Sequence, residues 1–378
     1  MQDLIEGLND KQREAVLQTE GPCLVIAGAG SGKTKVLTHK IAYLMSEKNV
    51  APWNILAITF TNKAAKEMKD RIENLVGDAV KDMWIGTFHS ICVRILRKFI
   101  DRIGFESSFI IFDTSDQKTL IKECLKSLNI DDKMFNDRSV LSEISNGKNE
   151  MLEPSSYATK YAGDYRKSKI AEIYALYQKR LKENNAIDFD DIINYTIKIL
   201  TENPDVLEYY ANKFKYVLVD EYQDTNKAQF TLVSILASYH GNITVVGDND
   251  QGIYSVRGAD ISNILNFEKD FPGTTIIKLE QNYRCTGNIL KAANAVIKNN
   301  ENKYDKKLWT ENEEGHLPNI YQGDDEYDEA RYIVEQINHL KTEEYYNYSD
   351  FAVLYRMNSQ SRAIEDILNR EAIPYKVI

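Results

Sequence analysis

"PCLVIAGAGSGKT", residues 22–34, is the stretch whose reading decides the fold. A short apolar run from Cys23 to Ala27 gives way to Gly28, Ala29, Gly30, Ser31 and Gly32, then to Lys33 and Thr34 at the head of the helix-period stretch "KTKVLTHKIAYLM". A short run that is apolar at every position reads as a strand buried on both faces, the habit of a parallel sheet. Glycines between such a strand and a helix let successive backbone N–H groups turn inward around an anion at the helix N-terminus. In that pattern Lys33 reaches the β and γ phosphates of a nucleotide and the Thr34 hydroxyl holds Mg2+. The strict pattern starts on glycine where this chain has Ala27, and Gly28 and Gly30 still supply the needed freedom.

The same rhythm continues on either side. "NILAITF" precedes "NKAAKEMKDRIENL", and "MWIGTF" precedes "HSICVRILRKF"; after a gap come "FKYVLVD", "NITVVGD" and "TTIIKLEQ". Apolar strands alternating with amphipathic helices predict an α/β domain whose parallel sheet is covered on both faces. From about residue 110 the strands stop, and "TSDQKTLIKECLKSL" through "KSKIAEIYALYQKRLKEN" reads as helices and polar loops. A helical insertion within one α/β domain is the simplest account. "HLPNIYQG", "DFAVLYR" and "IPYKVI" then read as strands of a second α/β domain. The basic run at Lys179, Arg180 and Lys182 has the charge to touch duplex phosphates, and a solvated helix face is the preferred reading.

A phosphate loop needs a carboxylate at the end of a neighbouring strand to complete the Mg2+ shell, and "YVLVDEYQDTN", residues 216–226, supplies it. Asp220 is assigned to the metal with Thr34. Glu221, beside both, is the group that orients and deprotonates the attacking water. No guanine-reading NKxD follows a strand, since "TNKAAKE" lacks the aspartate. ATP is therefore expected over GTP.

The rest of the composition sets limits. The chain has 378 residues, 43% hydrophobic and 28% charged, as an ordinary globular protein of two or three domains does. Its net charge of −10 argues against a general nucleic-acid coat, so any such site is a local groove. Cys23, Cys92, Cys124 and Cys285 are scattered singly and propose neither zinc nor a disulfide framework. The start "MQDLIEGLNDKQREAV" has no signal-peptide pattern, no run is long enough to span a bilayer, and a cytoplasmic location without membrane contact is expected.

Eight segments in order narrow the class: "LNDKQREAV", "TFTNKAAKEM", "GTFHS", "IDFDDII", "VDEYQDTN", "VVGDNDQGIYSVRGAD", "LEQNYRC" and "VLYRMNSQSRAIEDIL". Together they closely resemble the UvrD/Rep/PcrA group of superfamily 1A DNA helicases. The resemblance implies a first RecA-like P-loop domain in two parts, residues 1–112 and 188–281, interrupted by a helical insertion at 113–187. Residues 282–378 would begin a second RecA-like domain. It also implies 3′ to 5′ movement driven by ATP and Mg2+, with single-stranded DNA and single-strand/duplex junctions as partners, alongside repair or replication proteins.

Carried onto this sequence, Gln12 would read the adenine edge and Tyr283 would stack on the base. Arg284 and Gln251 would meet the γ-phosphate, and Glu221 would also stand beside the metal. Gln223 and Asp224 would link the water-activating strand end to the DNA side. Single-stranded DNA would lie on Phe60, Thr61, Asn62, His89, Phe189, Tyr254, Arg257, Arg356, Asn358, Ser361 and Arg362, aromatics stacking on bases while polar groups hold the backbone. Of the aromatics, Phe60 and Phe189 stand among polar residues, as platforms do. Val256 replaces an aromatic usual in the family, a base surface worth about 1–3 kcal/mol. Lys35 replaces an arginine that packs on adenine, and an ammonium does not stack as a guanidinium does.

Members of the group run well beyond this length, through an insertion in the second domain and two further motifs, one with an arginine for the ATP cleft. The chain is accordingly expected to be an N-terminal fragment that binds ATP·Mg and, weakly, single-stranded DNA. Two other readings stay open: a non-motor short form that occupies DNA or a partner, and the helicase subunit of a helicase-nuclease.

Overall fold

The computed structural model describes residues 4–254, 258–300 and 304–378. Val256 and Arg257 lie outside the described residues. The chain divides into two compact units, one reaching to Gly315 and one spanning His316–Ile378.

In chain order the strands are β1 Cys23–Ala27, β2 Ile55–Thr59, β3 Trp84–Thr87, β4 Ile110–Ile111, β5 Ala186–Ile187, β6 Tyr216–Val219, β7 Ile243–Gly247 and β8 Thr275–Leu279. Six of them form one parallel sheet in the order β3-β2-β6-β7-β1-β8. Every residue of β1, β2 and β7 is buried, as the all-apolar runs require. Alternate residues serve opposite faces. Leu24, Ile26, Leu56, Ile58, Val219 and Val245 join one core, while Cys23, Val25, Ile55, Ala57, Leu218 and Val246 join the other. Parallel pairing places all six C-terminal strand ends on one edge, where sites in such sheets gather.

The insertion is helical, with helices Thr114–Ser127, Asp137–Asn149, Pro154–Lys160 and Tyr165–Glu183 around a core of their own that includes Leu120, Val140, Ile144, Ile170 and Tyr177. Its neck is a feature the sequence did not announce. β4 and β5 pair in parallel over two residues, extended by Ile110 N–H to Asn185 O at 3.1 Å and Phe112 N–H to Ile187 O at 2.9 Å. Two-residue strands carry no period to read.

In the second unit, helices Glu326–Glu343 and Ser361–Arg370 pack through Ala330, Val334, Ile337, Ala363 and Ile367. "HLPNIYQG", "DFAVLYR" and "IPYKVI", expected as strands, form none among the described residues. An apolar segment becomes a strand only where a neighbour takes its backbone hydrogen bonds, and here Ile320 and Leu354 are 98% and 94% exposed.

Candidate nucleotide site and nucleic-acid face

The phosphate loop is shaped by two left-handed glycines. Gly30 has φ +69° and Gly32, which caps helix Lys33–Ser46, has φ +87°. A Cβ at Gly32 would stand 2.7 Å from the Gln12 Nε2, and one at Gly30 2.7 Å from the Asn282 Nδ2. Gly30, where a Cβ would also meet the Arg284 Cβ at 2.8 Å, therefore requires glycine for space as well as for φ, and Gly32 requires it for φ. Gln12 is buried, donating from Nε2 to Ser31 O at 2.9 Å and accepting at Oε1 from Asn9 N–H at 3.2 Å. Asn9 Oδ1 in turn accepts from Gln12 N–H at 2.8 Å, a reciprocal cap on helix Asp10–Leu17.

Segment 281–284 is tied to the same loop. Tyr283 N–H donates to Gly30 O at 3.0 Å, and Asn282 Nδ2 donates to Ala29 O at 2.6 Å. The Tyr283 hydroxyl accepts from Asn9 Nδ2 at 2.7 Å and donates to Gln281 Oε1 at 2.9 Å. The Tyr283 ring is half exposed beside the Gln12 end of the loop. Arg284 is exposed, with its backbone N–H held by Asn282 Oδ1 at 2.8 Å. Lys35 Nζ reaches back to Gly7 O at 2.8 Å. Sequence reasoning missed Asn9 and Asn282. The first is legible afterwards as the cap residue of an Asn-x-x-Gln box; the second had no signal beyond standing before Tyr283.

Asp220 does not end a strand adjacent to β1, as the sequence reading placed it. β7 lies between β1 and β6, so the phosphate loop and the carboxylates flank a middle strand whose own end, Asp248, enters the site. Lateral order in a parallel sheet is set by crossovers that local patterns do not encode. The reach is nevertheless short. Thr34 Oγ1 donates to Asp220 Oδ2 at 3.2 Å, and Lys33 Nζ pairs with Glu221 Oε2 at 2.8 Å.

Glu221 occupies the left-handed region at φ +50°, an outlier of the sort that collects at functional sites. Gln223 is buried and spans the gap between β6 and β7: its Nε2 donates to Glu221 Oε2 at 2.8 Å while its Oε1 accepts from Asp248 N–H at 3.0 Å. Asp224 Oδ1 is buried without a hydrogen-bond partner. Gln251 Nε2 donates to Asp248 Oδ2 at 2.5 Å. Lys306, unremarked in the sequence, is buried against Asp248 Oδ1 at 2.6 Å and also pairs with Asp250.

Burial, with the neighbouring Glu221 charge, raises the Asp220 carboxyl from 3.8 to about 6 against the opposing pull of Lys33 and Thr34. The sign follows directly. A folded pKa above the unfolded one means stability falls as pH rises from about 4 through about 6, and the full cost of ionisation is present above that. Asp220→Asn should thus stabilise the ligand-free chain by on the order of 1–3 kcal/mol at pH 7.5 and by little at pH 4. Thermal melts of both proteins across that range check it, and an equal or lower melting temperature for the variant at pH 7.5 would refute it.

Among the described residues no three acidic, histidine or cysteine side chains form a ready cage for a metal. One hydroxyl and one carboxylate at hydrogen-bond distance do suit Mg2+, which keeps several waters and takes few protein ligands beside substrate phosphates. The Glu221 oxygen that faces this region is engaged by Lys33 and Gln223.

The expected DNA residues of the first unit follow the other strand ends. Phe60, Thr61 and Asn62 come after β2; Thr61 caps helix Asn62–Val76 through Ala64 N–H at 3.0 Å, and the half-buried Phe60 packs edge-on against Phe88. His89, after β3, and Phe189, after β5, stand a hundred residues apart in sequence yet stack with ring centroids 3.6 Å apart. Phe189 is 54% exposed. Burial lowers the His89 imidazole to about 4, so it is neutral at physiological pH. Tyr254 is exposed.

Phe189 sits between aspartates with a buried partner. Lys148 Nζ meets Asp188 Oδ2 at 2.6 Å and Asp191 Oδ1 at 2.7 Å, all three side chains being almost wholly buried. Tyr177 donates to Asp188 at 3.0 Å and Gln178 to Asp191 at 2.9 Å. Asp188 also caps helix Phe189–Glu202. Farther back on the insertion, Arg180 bonds Ser127 at 2.6 Å and Lys182 reaches Ile103 O at 3.3 Å, while Lys179 is solvated beside Glu183. In the second unit Arg356 and Arg362 are exposed, and Ser361 Oγ donates to Asn358 O at 2.8 Å where helix Ser361–Arg370 begins.

A parallel sheet with a glycine loop, a lysine and a threonine at the head of the first helix, and an Asp-Glu pair two strands away defines a RecA-like P-loop nucleotide-binding protein. Residues 8–272 match the UvrD/REP helicase N-terminal domain, and residues 277–378 match the UvrD-like helicase C-terminal domain. The chain belongs to the UvrD/REP helicase family. It is 55% identical over 375 residues to the ATP-dependent DNA helicase PcrA of Bacillus subtilis (strain 168), covering 99% of this chain and 51% of that protein. It is 53% identical over 379 aligned positions to the ATP-dependent DNA helicase PcrA of Staphylococcus aureus (strain Mu50 / ATCC 700699), covering 100% of this chain and 52% of that one. The chain spans about half the length of the curated relatives it matches. Among the described residues no helix is long and apolar enough to cross a membrane.

Proposed function

We propose that this chain carries the ATP site and part of the DNA track of an ATP-dependent 3′ to 5′ DNA helicase of repair or replication. The observation that carries the reading is the convergence of Lys33, Thr34, Asp220 and Glu221 on the phosphate loop, with Gln223 joining Glu221 to Asp248. The relatives, named ATP-dependent DNA helicases, support it.

In this reading the loop from Ala27 to Lys35 cradles the phosphates, and Lys33 leaves Glu221 to reach them. Thr34 and Asp220 would hold Mg2+, with Glu221 beside them, and the ion would supply charge neutralisation at the phosphates. Glu221, relieved of Lys33, accepts the proton of the attacking water. Gln12 reads the adenine edge, exchanging its bond to Ser31 O for one to the base, and Tyr283 offers its exposed ring as a stacking face. Arg284 and Gln251 turn to the γ-phosphate. Single-stranded DNA runs over Phe60, Thr61, Asn62, His89, Phe189, Tyr254 and Arg257, and over Arg356, Asn358, Ser361 and Arg362. Residues 1–112 and 188–281 act as one RecA-like domain, 113–187 as its insertion and 282–378 as the start of the second.

The test is ATP hydrolysis by the product of the complete reading frame, measured with and without single-stranded DNA, together with strand separation on a duplex with a 3′ tail. Hydrolysis indifferent to single-stranded DNA would end the motor reading. Phe189→Ala should weaken binding of labelled oligo-dT by about 5- to 150-fold, the equivalent of roughly 1–3 kcal/mol for one stacked base. Unchanged affinity would remove Phe189 from the track.

A further inference from the structure

Asn149 stands where three segments of the first unit meet, and none of the roles assigned so far uses it. It is the last residue of helix Asp137–Asn149. Its Oδ1 accepts from Asn226 Nδ2 at 2.7 Å, and Asn226 lies on the segment that leaves Glu221 and caps helix Lys227–Leu236. Its Nδ2 stands 3.0 Å from the position a Cβ on Gly258 would take, and Gly258 has φ +85°. Gly258 belongs to the segment that follows Gln251. The residue before Asn149 is Lys148, whose ammonium holds the aspartates on either side of Phe189.

The path from the carboxylates to Asn149 is short and stiff. Gln223 holds Glu221, residues Tyr222–Asp224 form a single tight helical turn, and Thr225 Oγ1 closes it on Tyr222 O at 2.7 Å. Thr225 O accepts from Asp260 N–H and from Asn263 Nδ2, both at 2.9 Å. A shift of Glu221 when Lys33 changes partner therefore has few soft joints before Asn226. Beyond Asn149, Lys148 leads to the Phe189 platform through buried ion pairs, which are poorly screened.

Resting on the function proposed above, we infer that Asn149 is a positioning residue through which the state of the nucleotide site alters the grip on single-stranded DNA. The Asn226–Asn149 hydrogen bond is the joint between the two. Coupling of this kind is a free energy shared by both sites, so it is read equally from either ligand.

The experiment measures the affinity of this chain for fluorescein-labelled oligo-dT by anisotropy, with and without saturating Mg·AMP-PNP. Wild type should show a nucleotide-dependent change of about 5- to 150-fold, the usual span of such coupling. Asn149→Ala should reduce that factor to about twofold or less while each ligand alone binds within about twofold of wild type. Asn149→Asp keeps an oxygen facing Asn226 Nδ2 and should retain the wild-type factor. Asn226→Ser keeps a helix cap but removes the amide Nδ2 that reaches Asn149, leaving a shorter hydroxyl at the cap, so it should lose coupling as Asn149→Ala does; it also reads the same bond should Asn149→Ala fail to fold. Retained coupling in Asn149→Ala or Asn226→Ser overturns the inference, as does loss in Asn149→Asp. A wild type that binds both ligands independently overturns it too, while one that binds neither overturns the helicase reading beneath it.

Discussion

Glu221→Gln should slow DNA-stimulated ATP hydrolysis by roughly 10²- to 10⁴-fold, the usual contribution of a positioned general base, while Mg·ATP binds at least as tightly as before. The second half of that expectation comes from the ligand-free geometry. Lys33 and Glu221 are paired at 2.8 Å, so the lysine reaches a phosphate only by giving up a carboxylate. Glutamine keeps the shape and can still bond Gln223, but holds the ammonium far less strongly. Binding measured with a non-hydrolysed analogue and turnover measured in a single-turnover assay separate the two effects. Parallel loss of binding and turnover would mean that Glu221 organises the pocket and does not act on water. Lys33→Ala should instead lose binding itself, because Lys35, the next cation on that helix, is engaged at Gly7 O.

Lys148→Met should destabilise the chain by roughly 3–5 kcal/mol, the range for leaving buried charges without their partner. Burial alone would lower the Lys148 ammonium, yet Asp188 and Asp191 outweigh it and hold the lysine charged well above its ordinary range. Asp188 is likewise held below the ordinary carboxylate value by Lys148 against burial, whereas burial and the Asp188 charge raise Asp191 to about 7. The lysine is thus the only charge in the network that favours ionised aspartates at both positions. Without it, the Asp191 carboxyl rises further above its unfolded value near 4 and Asp188 loses the charge that holds it below that value, so stability falls as pH rises through neutrality. The deficit relative to wild type should be larger at pH 8 than at pH 5. Urea titrations at the two pH values decide it, and a deficit below about 1 kcal/mol, that of a surface ion pair, would refute it.

The parallel sheet was legible because its strands are buried on both faces, so "CLVIA", "ILAIT" and "ITVVG" are apolar throughout. The phosphate loop was legible because glycine and lysine at fixed spacing answer one physical demand. Lateral strand order was not, and so β7 and Asp248 came between Asp220 and the loop unannounced. The Lys148 network was hidden for another reason. A lysine in "SNGKNE" looks like any solvated lysine, and only the folded chain brings it to aspartates about forty residues away. Asn282 and Leu308 were equally silent: the first bonds the loop backbone and the second covers Gly28, contacts that leave no period in the sequence. The segments from residue 316 on failed oppositely, since they have the composition of strands and pair with no neighbour among the described residues.

The neck of the helical insertion has a mechanical meaning. Two parallel strands of two residues each, β4 and β5, make the narrow footing on which the bundle of four helices stands. Lys148 is set off from that footing, joining the bundle to helix Phe189–Glu202 as a stay fixes the angle of a mast. A load on the bundle would be felt as torque at the foot of Phe189.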